Sequence, residues 1–473
     1  MNTLQNRPFM FEKKFLLILP FFIVANISLL SAQQTLTLKD AIQTAVNNYG
    51  TIKAKSSYAA SSQASVVQAK RDYLPNLNVS AQQDYGTVNG QNGPLYGFGG
   101  LAVASAGQPL PDQNWNAAFG GLYLTNINWD FFAFGRAKEK IKTVQAVATR
   151  DTKDWQQEIF QQEIRVAAAY LNLLAAQKLT LSYQKNLNRA DTFRRVVVTR
   201  VKNGLNPGVD SSQANAEVSN AKIALTRALD FQQTQSNQLA QLMGVPAQDF
   251  NLDTFFVARV PAVLADSAAI ENHPTLQWFK SRIAVSDEQA KYYHTFNYPV
   301  FSLVGVLQTR GSGFDPSYNA TNLDAYKQSY WDGVKPTRTN YLFGIGVTWN
   351  ITQPLRISQQ VKSQKLVSKG LQAEYELADQ QIRAQLKLSD TKISNALDNY
   401  NEAPIQVKAA SDAFLQKSVL YKNGLTNLVD VTQALYTLIR AETDRDIAYS
   451  NVWQALLLKA SASGDFNLFE GQL

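Results

Sequence analysis

Hydrophobic and polar positions along this chain follow two rhythms, and the switches between them fall at prolines. Leu38, Ile42 and Val46 share one face of a helix predicted over Leu38–Asn48. Gly50 interrupts it. Helical spacing resumes from Ile52 to Tyr73 and stops at Pro75, because proline has no N–H for the helical ladder. The period then drops to two, with Leu77, Val79, Ala81, Gln83 and Tyr85 alternating with Asn78, Ser80, Gln82 and Asp84. A loop rich in Gly, Pro and Asn over 86–116 leads to a second extended run, Phe119 to Trp129, and then to a helix from about Gly135.

The same order returns in the second half. A helix ends at Tyr298-Pro299, and Phe301, Leu303, Gly305, Leu307 and Thr309 form one face of a strand. After a polar loop over 311–340, Tyr341, Phe343, Ile345, Val347 and Trp349 alternate with Leu342, Gly344, Gly346, Thr348 and Asn350. Strands are therefore expected over 76–88, 117–129, 300–310 and 341–351. Each has about ten residues, the length that crosses a bilayer as a tilted strand. One face is apolar with aromatics near its ends and the other is small and polar, as lipid on one side and water on the other require. Long helices follow, over 136–202 and 354–422; the first has neither proline nor internal glycine, the second only Gly370 and Pro404. At ~1.5 Å per residue each is a rod of roughly 100 Å. Apolar positions such as Ile141, Val144, Ala148, Trp155 and Ile159 need a partner helix, so the rods belong in a bundle or coiled coil. Further helices over 207–243 and 427–463 end at Gly244 and Gly464.

This order is one unit written twice. KNGLNPGVDSSQA, Lys202 to Ala214, returns as KNGLTNLVDVTQA, Lys422 to Ala434, an offset of 220 residues that also carries Trp129 onto Trp349 and Arg136 onto Arg356. An offset of 224 carries Asn48 to Asn272, Thr51 to Thr275 and Pro75 to Pro299. The chain divides into a segment 1–32, a first structural repeat 33–264 and a second 265–473.

Composition narrows the class. Lys13 and Lys14, the apolar run Phe15 to Leu30 and Ser31-Ala32 read as a signal peptide, 1–32, removed on export. Beyond it no run approaches ~18 apolar residues, which excludes a helical membrane protein. The absence of cysteine excludes disulfides, thiolate metal sites and an acylated N-terminal cysteine. The net charge of +8 is scattered rather than gathered into a stripe, so nucleic acid is not an expected partner. His273 and His294 lack metal-ligand spacing, and no nucleophile–base pair stands out. The expectation is no enzyme, no cofactor and no metal.

Strand count decides the architecture. Four strands cannot close a transmembrane barrel, for which about eight is the smallest number. Open edges are not tolerated in hydrocarbon. The chain must therefore contribute part of a barrel and complete it with further copies. The helices joined at Pro75, Arg136, Pro299 and Arg356 would extend the same cylinder on the periplasmic side.

The whole mature chain resembles the TolC-like outer-membrane efflux family. The resemblance is carried by the duplicated helix–Pro–strand–loop–strand–helix order, the passage Asn128 to Arg136 (NWDFFAFGR), the run Ala169 to Gln177 (AYLNLLAAQ) and the two turns. It implies a homotrimer whose 12-stranded β-barrel in the outer membrane of a Gram-negative bacterium continues as a long periplasmic α-helical barrel. It also implies a function, the passive exit duct of a tripartite efflux or type I secretion system. That duct would serve an inner-membrane pump through a periplasmic adaptor protein, amid outer-membrane lipid.

The repeated turns admit two readings. As caps, Lys202 and Lys422 suit helix C-termini, Gly204 and Gly424 the left-handed position beyond them, and Asn206-Pro207 and Thr426-Asn427 the next N-cap and first helical residue. Asp210 and Asp430 then meet the positive end of a helix dipole. As a mouth, the aspartates would ring the periplasmic entrance. In the resembling family the second turn carries two aspartates near a tyrosine that constrict the closed entrance. Tyr421 and Asp430 match, while Gln433 replaces the second aspartate and Thr426 an arginine. Leu205 and Leu425, beside Gly204 and Gly424, are candidates for adaptor contact. The alternative class is a trimeric outer-membrane structural protein or adhesin with a coiled-coil stalk.

Overall fold

The computed structural model describes residues 35–90, 107–253, 255–261 and 270–472. The expected signal segment, 1–32, lies outside them. The first repeat runs α1 (Leu38–Asn48), α2 (Gly50–Arg71), β1 (Asn76–Thr87), β2 (Ala117–Phe132), α3 (Arg136–Lys202) and α4 (Gly208–Met243). A short α5 (Phe255–Ala258) precedes α6 (Pro274–His294), β3 (Val300–Ser312), a short α7 (Tyr330–Val334), β4 (Arg338–Thr348), α8 (Gln353–Lys422), α9 (Leu428–Ser463) and a short α10 (Asn467–Glu470). The loop between β3 and β4 is thus not wholly irregular. β4 also begins and ends earlier than its aromatic alternation predicts, because its pairing with β3 extends to Arg338–Arg310 and stops at Thr348–Val300.

Trp349 is consequently outside the strand, and its place explains a repeat identity. Its indole N–H donates to the Asn297 carbonyl at 3.1 Å, and that of Trp129 donates to the Tyr73 carbonyl at 2.8 Å. Both acceptors lie two residues before a junction proline, Pro299 or Pro75, at a helix end whose carbonyls lack ladder partners. Each tryptophan therefore pins a descending helix to the strand that returns beside it.

The strands form one antiparallel sheet in the order β1-β2-β3-β4. Asn76 pairs with Asn128 in the first hairpin and Val300 with Thr348 in the second, so the two hairpins obey the 224 and 220 offsets together. Registered rows sort by face. One face carries Leu77, Ile127, Gly305 and Phe343, then Val79, Thr125, Leu307 and Tyr341. Gly305 leaves the room its row needs, since a Cβ there would come within 2.6 Å of Ile127 and 2.8 Å of the Phe343 ring. Alternate rows are more polar but mixed: Asn76 and Asn128 with Val304 and Gly344, Asn78 and Asn126 with Val306 and Leu342, and Gln82 and Leu122 with Arg310 and Arg338. Leu77, Val79, Tyr341, Phe343 and Ile345 are all exposed. Among the described residues of one chain the apolar face is bare, and β1 and β4 each have one unpaired edge.

The helices stand on this sheet. α3 and α8 have 67 and 70 residues, and α8 continues unbroken through Pro404. α3 packs with α4, and α8 with α9, as two long hairpins; α2 and α6 lie alongside nearer the sheet. Among the described residues no helix is long and apolar enough to cross a membrane. The main core lies midway along the rods, where α1, α3, α4, α9 and α10 enclose Trp453, Tyr170 and Phe469, each at most 1% exposed. The Tyr170 hydroxyl donates to the Leu36 carbonyl at 2.8 Å and accepts from the Asp253 N–H at 3.1 Å, closing the chain around it. α3 buries seventeen residues but α8 only seven, which leaves one side of α8 open.

His273 is buried beside this core, where it ties the start of α6 to α9 and meets the Phe160 ring of α3 edge-on at 5.6 Å. Its Nδ1 accepts from the Thr275 N–H as the N-cap of α6, so Nε2 carries the proton and donates to the Ser461 carbonyl. Burial holds its pKa below 6.5, although the Ser461 bond opposes the shift. The unfolded chain therefore takes up this proton first. The contribution to stability is complete above pH 6.5 and is lost as pH falls from there through the folded pKa. The helical melting midpoint should drop between pH 7 and 5, and drop less in His273→Asn, which keeps a cap acceptor and a donor. Equal drops in circular-dichroism melts would contradict this assignment.

Candidate functional site

The two repeated turns lie at the ends of the rods away from the sheet. At each, the chain closes a helix with the same pair of bonds. Leu205 N–H donates to Arg200 O and Gly204 N–H to Val201 O; Leu425 N–H donates to Leu420 O and Gly424 N–H to Tyr421 O. These are Schellman closures, with Gly204 at φ 72° and Gly424 at φ 78°, conformations that side chains resist. The hydrophobic contact that usually accompanies such a closure is weak here. Leu205 and Leu425 are 64% and 72% exposed. Lys202 and Lys422 are exposed in the last turns.

The following helices start one residue later than the spacing predicts. Pro207, not Asn206, is the N-cap of α4, and Asn427, not Thr426, caps α9 by accepting from the Asp430 N–H at 2.9 Å. The reason is that both predicted caps are engaged elsewhere. Thr426 donates its hydroxyl to the Asp430 carboxylate at 2.6 Å. Asn206 donates to the Asp210 carboxylate at 2.8 Å and to the Tyr421 hydroxyl at 3.1 Å, and accepts from Arg200 Nε at 2.8 Å.

The two aspartates, equivalent in sequence, therefore differ in role. Asp430 is tied within its own hairpin, to Thr426 and to Lys417 Nζ at 3.2 Å. Those two donors, Thr426 foremost, hold its carboxyl below the usual carboxylate range. Asp210 reaches across, accepting the Tyr421 hydroxyl from the other hairpin at 3.2 Å. Burial first, and the negative charge of Asp210 second, push the Tyr421 hydroxyl up to about 12, so it remains a donor at neutral pH. Its ring is 1% exposed among Val197, Ala214, Leu428 and Val431, with Phe193 5.4 Å away. Arg200 completes the link, placing its guanidinium 5.7 Å from the Tyr421 ring and donating Nη1 to the Lys422 carbonyl at 2.5 Å.

Of the predicted residues, the structure thus gathers Tyr421 with Asp210, and Thr426 with Asp430; Gln433 is exposed and apart from both groups. Arg200 escaped the sequence reading, and Asn206 was read there only as a cap. A signal existed: at these positions the second repeat has Leu420 and Thr426, and opposite Tyr421 the first repeat has Val201. The repeat identity marks the caps, and the repeat differences mark the cross-link between hairpins.

The junction residues cluster at the opposite end. Pro75 and Pro299 precede β1 and β3, and Gly135, at φ 84°, starts α3. Arg136 lies 4.3 Å over the Phe296 ring and reaches the Tyr298 carbonyl at 3.4 Å, while Arg356 is exposed.

Tyr421→Phe should cost about 1.5–3 kcal/mol, a hydrogen bond to a charged group. It should also speed amide exchange in both turns, whereas Thr426→Val should affect only the second. Unchanged exchange in the first turn of Tyr421→Phe would show that the hairpins are not coupled through this bond.

Residues 41–245 match the outer membrane efflux protein family. No curated protein matches the chain. Three similar solved structures are CusC, described in connection with transmembrane channel formation, VceC, an outer membrane protein of Vibrio cholerae, and the CmeC outer membrane channel of Campylobacter jejuni. CusC is 13% identical, covering 90% of this chain and 92% of its own, with a TM-score of 0.74. VceC is 16% identical, covering 90% and 96%, at 0.70; CmeC is 15% identical, covering 90% and 85%, at 0.72. These likenesses establish the fold over nearly the whole chain. The first repeat thus matches the outer membrane efflux protein family in sequence, and both repeats share the fold of these solved structures.

Proposed function

We propose that three copies of this chain form the outer-membrane exit duct of a tripartite efflux or type I secretion system. The duct carries small molecules or exported polypeptides passively from periplasm or pump to the exterior. The observation that carries this reading is the sheet: an apolar face, a polar face and two unpaired edges in one chain. Three such sheets supply twelve strands, put the apolar rows against lipid and leave Asn, Gln and Arg rows around water. The rods, roughly 100 Å each, continue that lumen through the periplasm, and their turns become its entrance. An adhesin stalk has no use for a polar strand face, which is why that alternative is less well supported.

Within this reading, Tyr421, Asp210, Asn206 and Arg200 form a latch that holds the second hairpin against the first and keeps the entrance narrow. Asp430 and Thr426 secure the second turn, and Gln433 leaves the entrance less acidic than two aspartates would make it. Opening separates the hairpins, which costs the bonds of the latch and exposes part of the Tyr421 ring. Leu205 and Leu425, beside Gly204 and Gly424, present an apolar tip to a periplasmic adaptor, which connects the duct to an inner-membrane pump. Junction residues Pro75, Arg136, Pro299 and Arg356 mark the passage from barrel to rods.

Single-channel recording in planar bilayers tests this. The wild-type protein should conduct, and Tyr421→Phe combined with Asp210→Asn should raise conductance or open probability several-fold. Asp430→Ala should have a smaller effect on opening. A protein that never conducts, in either form, would refute the duct; conduction with an inert latch variant would refute the latch alone.

A further inference from the structure

Three copies turn the polar face of this sheet into the wall of a lumen, and two cations on that face have no counterpart in the chain. Resting on the duct proposed above, we propose that Arg310 and Arg338 form an oxyanion-binding site at its outer end, one site per copy. The site favours exported solutes that carry phosphate or carboxylate groups.

Four charged side chains lie on the polar face of the strands: Asp84, Asp130, Arg310 and Arg338. Neutral neighbours satisfy the two carboxylates. Asp84 accepts from Gln82 Nε2 at 2.8 and 3.0 Å, and Asp130 accepts from the Ser302 hydroxyl at 2.5 Å. Neither guanidinium has a hydrogen-bond or ion-pair partner among the described residues. Only the backbone is held there: the Arg310 carbonyl accepts from the Thr337 N–H at 2.8 Å and from its hydroxyl at 3.2 Å.

The register sets these arginines directly opposite each other, and both are exposed. Their Cβ atoms are therefore about 4.5–5.5 Å apart, a spacing at which like charges destabilise a strand pair. A carboxylate at either position would give a favourable cross-strand pair instead. An oxyanion placed between the two guanidiniums relieves the repulsion, and their planar forks match its oxygens in pairs. Leu122, half-buried beside Arg310 in the same row, gives the site one apolar flank, where charge attraction is screened less than in open water.

Position adds direction. Arg310 lies ten residues past Val300, roughly 34 Å along β3 from the helix junction, and Arg338 opens β4. Asp130 is near the other end of the sheet, beside the start of β3. The two arginines less Asp84 leave +1 per chain towards the outer end, and +3 in three copies. In the loop beyond, Asp315 is bound by the Ser317 N–H and hydroxyl, and Asp332 lies 4.0 Å from Lys327. Asp324 shares a hollow with Arg338, but no ion pair joins them. A ring of cations around a water-filled passage raises the local concentration of anions and repels cations. Exposure of the site keeps binding weak enough for the solute to leave.

Reversal potentials and block by inorganic pyrophosphate, both in planar bilayers, test the site. Arg310→Gln combined with Arg338→Gln relieves repulsion rather than adding it. Under a KCl gradient this variant should shift the reversal potential towards cation preference. Pyrophosphate added on the side of the strand loops should reduce the wild-type current, and the half-blocking concentration should rise several-fold in the Gln variant. Arg310→Lys combined with Arg338→Lys keeps the charge and loses the forks, so it should retain the wild-type reversal potential and weaken the block. A wild-type current insensitive to pyrophosphate, or equal block in wild type and Gln variant, would overturn the site and leave the duct standing. Bilayers that stay silent with every form would overturn both.

Discussion

Backbone hydrogen bonding at the two edges of the sheet governs this molecule. β1 and β4 each pair on one side only, and each unpaired N–H or C=O would cost several kcal/mol in hydrocarbon. The face beside those edges is apolar and bare, which suits lipid and rules out a stable soluble sheet. The helices joined at Pro75, Arg136, Pro299 and Arg356 hold one end of every strand, so the strands cannot turn their edges away from lipid. Closure by further copies removes the conflict entirely. Once the sheet closes, the helices standing on it must close as well, and the open side of α8 receives a neighbour. Burying a leucine there stabilises by about 1.5–3 kcal/mol. The exposed Leu355, Leu366, Leu377 and Leu388 of α8 would together reach the scale of a whole domain's stability, roughly 5–15 kcal/mol.

Duplication explains how one chain serves a closed ring. Both hairpins share a register, both junctions share an indole bond to a helix-end carbonyl, and both turns share a glycine closure. Identity between the repeats is concentrated where geometry must be the same all round the ring. Difference is concentrated where the repeats face each other. Val201 against Tyr421, Leu420 against Arg200 and Thr426 against Asn206 turn two similar turns into complementary halves of one contact.

This division also sets what the sequence could reveal. The switch of period at Pro75 and Pro299, the glycine closures and the uninterrupted rods are local signals, and they specify the order of elements with little ambiguity. Periodicity could not set the last residues of β4, because the end of a strand depends on its partner; β3 ends the pairing at Val300, leaving Trp349 free to turn to Asn297. Nor could capping rules foresee that Asn206 and Thr426 would leave the N-cap position, since their alternative partners compete for the same side chains. One of those partners, Tyr421, lies 215 residues away. Long-range polar contacts of this kind have no periodic signature, and only the mismatch between repeats hints at them.

The claim on which the rest stands is that this sheet is complete only when copies combine. Light scattering on the folded protein in detergent, corrected for bound detergent and paired with circular dichroism, measures that directly. Three chains per particle with an intact β signal is the predicted result. A single chain per particle with the same β signal would show that β1 and β4 are stable with open edges, and would contradict the account.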